Sequence, residues 1–443
     1  MRKRAILGLS ALAAAAIGAG IVYAGWGDEA TLSVAQGTGP NPVLPKPART
    51  LLPTVQIAQA TGWPEGEAPR PAPGLAVNAF AGGLDHPRWV YALPNGDVLV
   101  AESNKPAPPE GKKGGIKSWM QKKVMERAGA GVPSADRITL LRDADGDGVA
   151  ELKTPFLTDL RSPFGMVLVG DTLYIANADA VVAFPYESGA ARIVAAPRKV
   201  SDLPAGRNHH WTKSLVASRD GKRLYVGVGS NSNVAEHGME EEHNRAAILE
   251  IDPANGATRV YASGLRNPVG MDWAPNNGPL WVAVNERDEI GSDLVPDYMT
   301  SVRPGGFYGW PWSYWGGIVD SRVKPARPDM VARAIRPDYA LGPHTASLGL
   351  AFSEGARLGP RFDSGAFVGQ HGSWNRSPPS GYKVIFVPFN GGRPAGPPAD
   401  VLTGFLSREG KALGRPVGVE IARDGALLVA DDVGNIIWRV AAR

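Results

Sequence analysis

From residue 75 onward the chain repeats one arrangement of polar and apolar positions. A glycine-containing turn is followed by a short run in which aliphatic, β-branched or aromatic residues alternate with small or polar ones. It appears as PNGDVLVAES from Pro94, VGDTLYIANA from Val169, RDGKRLYVGVGS from Arg219, NNGPLWVAVNE from Asn276, DSGAFVGQHGS from Asp363 and RDGALLVADDVG from Arg423. A period-two run behind a turn signal predicts a β-strand. With Leu99, Leu173, Leu224, Leu280, Phe367 and Leu427 taken as equivalent, the steps are 74, 51, 56, 87 and 60 residues. Each step holds one four-stranded sheet and its loops. Six recurrences at blade-sized intervals predict an all-β, six-bladed β-propeller over residues 75–443, in which radial packing buries the sheet faces and leaves few open edges. A large β-sandwich with chance Asp-Gly turns is the alternative.

The pattern is absent elsewhere. Residues 25–74, most clearly from Gln36 to Pro73, are rich in Pro, Gly and Ala without periodicity and read as a linker or extended arm. Residues 1–24 place Arg2, Lys3 and Arg4 ahead of an apolar run, the layout of an export signal. Val22-Tyr23-Ala24 offers small residues for cleavage, and the run is also long enough to remain as a membrane anchor. Export to a periplasm is the expectation. An insertion from Lys105 to Asp136 contains IKSWMQKKVMERAG, whose Ile116, Trp119, Met120 and Val124 share one helical face. Such a helix caps a blade of its own protein or lies on a membrane or partner.

Composition narrows the function classes. The 443 residues are 43% hydrophobic and 20% charged, ordinary for a chain with a sizeable core, and Gly 55 with Pro 39 favours many turns over long helices. There is no cysteine, which removes disulfides, thiolate nucleophiles and Cys-ligated zinc. The formal net charge of +4 is small for the length and gives no case for nucleic-acid binding.

Four stretches could carry chemistry. DADGDGVAE sets Asp143, Asp145 and Asp147 at alternating positions among glycines, with Glu151 behind. Calcium needs several hard oxygens on a tightly turning backbone, as in an EF-hand loop. Thr154 stands at the twelfth position, where an EF-hand has its bidentate Glu, so the expectation is a structural calcium turn, with a solvated acidic hairpin as the alternative. NERDEIGSD, Asn285 to Asp293, follows the fourth repeat, either as a ligand-facing loop or as a solvated charge run. GGFYGWPWSYWG, from Gly305 to Gly316, could present tryptophan faces to a flat ligand or pack a blade edge. RNHHWTK pairs His209 with His210 just before a predicted strand. A histidine is the obvious base at neutral pH, and the plainer reading leaves one ring exposed and the other bonded to backbone.

RNHHWTKSL, VGVGSNSN, GLRNPVG, NERDEIGSD, GGFYGWPWSYWG and HGSWNRSPPSGYKV together resemble the glucose/sorbosone dehydrogenases, six-bladed propellers that use pyrroloquinoline quinone (PQQ), and most of all the sorbosone-dehydrogenase-like branch. The resemblance covers nearly all of residues 75–443. It implies that His210 is the catalytic base beside His209, and that Arg266, flanked by Asn267, contacts the quinone oxygens. It also implies that Asp293 helps form the site, that His344 stands where a cofactor-contacting hydroxyl residue sits, and that Arg415 is the first of two cofactor-binding arginines. The family's Gly-Pro pair, whose carbonyls hold the cofactor calcium, is Asp288-Glu289 here. Its second arginine is Val417, and its cofactor lysine has no equivalent near Gln370-His371-Gly372, which leaves Arg376 and Lys383 as replacement cations. The implied reaction is oxidation of an aldose or sorbosone-type sugar to a lactone or acid. Tryptophans of GWPWSYW would line the mouth, and electrons would pass to a respiratory quinone or cytochrome. A calcium-dependent lactone hydrolase using His210 to activate water, and a non-catalytic carbohydrate- or protein-binding propeller, are the competing readings.

Overall fold

A computed structural model of the chain describes residues 28–48, 54–107 and 126–443. The export or anchor segment and the helical face around Trp119 and Val124 lie outside the described residues. The rest is six four-stranded antiparallel blades. The first five run in chain order from Pro87–Ala92, Gly165–Val169, Leu215–Ala217, Pro268–Trp273 and Ser347–Phe352 as first strands. The sixth comprises Pro416–Ile421, Leu427–Asp431 and Ile436–Ala442, and Leu75–Ala81 supplies its fourth strand. One blade thus joins the two ends of the repeat region and closes the ring.

The equivalence read from sequence holds in space. Leu99, Leu173, Leu224, Leu280, Phe367 and Leu427 each lie in the second strand of a blade and are fully buried. Successive strand residues face opposite neighbouring blades. Leu427 therefore packs in the cluster shared with the fifth blade, and Leu428 in the one shared with the first. The core is six such clusters, one in each gap between blades. Because both faces are covered, second strands such as LWVAV are apolar throughout.

The first strands touch one another in a closed ring around the central axis. Their approach is tight. A Cβ on Gly270, in GLRNPVG, would stand 2.4 Å from the backbone N of Leu350 on the adjacent first strand. The two long repeat steps are loop insertions, after Val98–Glu102 in the first blade and between Pro296–Ser301 and Tyr339–Pro343 in the fourth.

Residues 28–48 and 54–74 run as an extended arm along the propeller. Thr38 and Gly39 pair with Leu341 and Ala340 at the edge of the fourth blade, and Arg70 and Pro71 pair with Thr403 and Leu402 at the edge of the fifth. Both outer edges are thereby capped.

Candidate active site

In an antiparallel blade the entry to the first strand and the exit from the second lie at the same end. Those positions gather the unusual polar residues at one end of the propeller. Entries bring Arg88, His210, Arg266, Asn267, His344 and Arg415, and exits bring Ser230, Asn233, Asp288, His371 and Asp432.

His210 is held by its ring. Nδ1 lies 2.9 Å from the Ser230 carbonyl and 3.0 Å from Ser230 Oγ, which donates its own proton to the Ser232 carbonyl. A carbonyl only accepts, so Nδ1 carries the hydrogen and Nε2 is left with its lone pair. Burial lowers the His210 pKa well below the usual imidazole value, and the Arg266 charge lowers it further. The imidazole is therefore neutral at pH 7. His209 packs edge-on at 4.7 Å, and its pKa is lowered to about 4 by burial and by Arg266 and Lys105. Gly229 makes room for this arrangement, since a Cβ there would stand 2.3 Å from Asn267 Oδ1 and 2.5 Å from His210 Cβ.

Arg266 is buried with all its donors engaged. Nε bonds the Asn233 carbonyl at 3.3 Å, and Nη1 bonds the carbonyls of Asn285 at 3.3 Å and Glu286 at 2.7 Å. Nη2 bonds Asn233 Oδ1 and Asp288 Oδ2, both at 3.0 Å. Asp288 Oδ1 accepts from Asn375 Nδ2 at 2.7 Å and faces His344 Nδ1 at 3.6 Å. Burial alone would raise the Asp288 pKa, but Arg266, His344 and Asn375 outweigh it and hold it at about 2. Arg266 thus ties together the loops after the second strands of the third and fourth blades, and Asp288 extends the assembly to Asn375 of the fifth.

Other expected site residues are placed differently. Asp293 Oδ2 accepts from the backbone and hydroxyl of Thr31 and from the backbone of Leu32, so it anchors the arm. Arg376 bonds the carbonyls of Leu32 and Pro378 and faces Asp293 at 3.6 Å, and Lys383 pairs with Asp400. Neither is drawn into the cluster around His210. His344 is buried, with Nε2 2.8 Å from the Gly291 carbonyl. The carbonyls of Asp288 and Glu289 accept from Asn233 Nδ2 and Arg322 Nη1. The tryptophans of GWPWSYW are packing residues, which corrects the expectation of a ligand-facing mouth. Trp310 is buried and donates Nε1 to the Asn233 carbonyl, Trp315 packs in the core of the fourth blade, and Trp312 lies under Arg327. Aromatic density in a sequence does not say which way the rings face.

Asp143, Asp145, Asp147 and Glu151 converge, with one ligand atom from each lying within 4.8 Å of the others, on the exposed hairpin joining Arg137–Arg142 to Leu152–Leu157. It is the one such group of carboxylate or imidazole ligands among the described residues.

The motif reading missed a second polar centre. The Asp432 carboxylate takes Nη1 of Arg88, contacts His371 Nε2 at 2.9 Å and faces His86 Nε2 at 3.6 Å. Arg88 lies over the Trp211 ring at 5.8 Å, which joins this centre to the His209-His210 loop. Arg415 stacks on Tyr382 at 4.9 Å, and its backbone N–H is fixed by Asp431 Oδ1. Arg88 Nε, Arg415 Nε and Arg415 Nη2 are buried without hydrogen-bond partners. Unsatisfied buried donors on two cations suit an anionic ligand such as a polycarboxylate.

Comparison with known proteins gives this geometry a family. The chain is 31% identical over 246 residues to an uncharacterized protein of Borreliella burgdorferi, covering 55% of this chain and 62% of that one. It is 28% identical over 249 residues to a PQQ-dependent pyranose dehydrogenase of Coprinopsis cinerea, covering 47% and 34%. The chain therefore spans less than two thirds of either relative. The PQQ domain of the Coprinopsis cinerea enzyme, solved in its holo form, shares the fold with a TM-score of 0.68 at 22% identity, over 87% of this chain and all of that domain. The TrAA12-like family model matches residues 135–303 and 328–442, more than half of the sequence. The chain belongs to the TrAA12-like family.

Proposed function

We propose that the chain is a PQQ-dependent dehydrogenase that oxidises an aldose or sorbosone-type sugar to the lactone or acid. The observation that carries this reading is the His210 imidazole, neutral, oriented through Nδ1 by Ser230 and with its Nε2 lone pair free. Nε2 is the atom that takes the proton of the sugar hydroxyl. Arg415, with unpartnered Nε and Nη2, holds a cofactor carboxylate. The bound quinone supplies a hydride acceptor. Asn267 Oδ1, buried and unpartnered beside His210, is an acceptor that orients a ligand group. Arg266 holds the floor of the site and contributes positive potential below it; to bond a quinone oxygen directly it must first give up one of its five acceptors.

Calcium is proposed at the Asp143–Glu151 loop. A cation at the carbonyls of Asp288 and Glu289 would require Arg322 to move away first. The electron acceptor is proposed to be a respiratory quinone or cytochrome reached after export.

The test is to add PQQ and calcium to the purified chain and follow the bound-quinone absorbance, then its bleaching by an aldose and by sorbosone. Bleaching by either sugar supports the reading. A chain that binds no PQQ in calcium excess leaves the lactone hydrolase or the binding propeller in its place.

A further inference from the structure

The Asp432 centre contains more cationic hydrogen-bonding capacity than its own residues use. Arg88 is 9% exposed and Arg415 3%, yet three of their N–H-bearing nitrogens have no partner. An unsatisfied buried donor costs roughly 1–3 kcal/mol, more when charged, so a structure retains several together only where something offsets the cost. Asp432 is shared among Arg88, His371 and His86, and these outweigh the effect of burial to hold its pKa well below the carboxylate range. It stays a carboxylate and fixes Arg88 through Nη1, leaving Nε outside the pair. Asp431 does not compete for the guanidinium of Arg415. Its oxygens accept from the backbone N–H groups of Arg415 and Gly434 and from the indoles of Trp63 and Trp438.

We infer that Arg88 and Arg415, projecting from the first and sixth blades, form a two-arginine clamp for a carboxylate of the quinone cofactor, with Asp432 as the positioning residue that sets Arg88. The inference rests on the dehydrogenase reading. It assigns the task of the missing second arginine, at Val417, to a residue 329 positions away in sequence but adjacent through Asp432. His371 completes the cluster. Burial lowers its pKa to about 4 against the opposing pull of Asp432, so it orients the carboxylate as a neutral group and does not replace the lysine's charge.

The test compares binding of PQQ and of its uncharged trimethyl ester to the full chain by titration calorimetry, in wild type and in Arg88→Gln. Losing one charged hydrogen-bonding partner is expected to weaken PQQ about ten- to hundredfold and leave the ester unchanged. Should Arg88→Gln fold poorly because Asp432 loses its partner, Arg88→Gln with Asp432→Asn removes the pair together and is read in the same way. Equal PQQ affinity in variant and wild type, or equal loss of PQQ and ester, overturns the clamp while leaving the dehydrogenase reading intact. A wild type that binds the ester as tightly as PQQ overturns it too. A wild type that binds neither overturns the dehydrogenase reading and the clamp with it.

Discussion

Arg266 and Asp288 form a buried ion pair, Nη2 to Oδ2 at 3.0 Å, inside a set of contacts that leaves no N–H of the guanidinium free. The pair bridges the entry to the fourth blade and the exit from its second strand, and Asn233 brings in the third blade. Its first role is therefore to hold the site's shape.

Arg266→Lys should destabilise the ligand-free protein by about 3–5 kcal/mol, because lysine cannot reproduce the planar fork and Asp288 is left poorly compensated. Asp288→Asn leaves the buried guanidinium without its counter-ion and offers one acceptor oxygen where Arg266 and Asn375 each use one, so its stability should fall by a comparable amount. Denaturant unfolding of the three proteins without cofactor measures this. A lysine variant as stable as wild type would mean that the guanidinium is free for ligand and the hydrogen-bond set is wrong.

His210→Gln should retain cofactor binding and lower turnover by ~10²–10⁴-fold, the usual contribution of a general base. His209→Gln should be milder, since its ring has no fixed partner comparable to Ser230. Because burial and Arg266 depress the His210 pKa, protonation sets in only well below 6.5, and the rate of quinone reduction should show no loss between pH 8 and pH 6.5. A stopped-flow pH series settles the choice of base. A titration centred near 6.5, or a greater loss at His209, would count against it.

Much of this was legible in the chain. The glycine turns and the apolar runs behind them located the second strand of every blade, because that strand is buried on both faces and tolerates few polar residues. His210 and Arg266 were singled out only by the resemblance of their motifs to a known family, since periodicity alone marks neither. The aromatic run at Trp310–Trp315 misled, because composition carries no direction. The Asp432 centre could not be read at all. Arg88 and Asp432 are 344 residues apart and meet only because the first and last blades are neighbours in a closed ring. The arm lacked periodicity for a physical reason as well, since it is held by scattered contacts: short backbone pairings, polar bonds to Asp293 and Asp431, and isolated apolar residues such as Ala58, Trp63 and Ala72 set in the core.

Asp145→Ala together with Asp147→Ala should abolish the calcium-dependent rise in melting temperature without changing turnover per folded molecule, because the hairpin is exposed on the outer strands of the first blade, away from the strand entries. A bound ion stabilises by linkage, and its removal withdraws that increment. Melting curves in calcium and in chelator test this, and an unchanged calcium response in the variant would remove the site from this loop.

Glu286 gives the protein a pH dependence opposite to that of a paired carboxylate. Its pKa is pushed up to about 7, first by burial and then by the nearby Asp297, against the pull of the Arg287 backbone N–H and of Arg266. An unfolded glutamate titrates near ~4.3, so between that pH and about 7 the native state holds more proton than the unfolded state, and stability falls as pH rises. Glu286→Gln removes the penalty, because the amide is neutral throughout and its oxygen still accepts from Arg287 N. The variant should match wild type near pH 4.5 and exceed it at pH 8 by roughly 2–3 kcal/mol. Urea unfolding at pH 4.5, 6 and 8 gives the difference directly. A difference that does not grow with pH would mean that Glu286 is ionised in the native protein at all three values and that its charge is fully compensated where it sits.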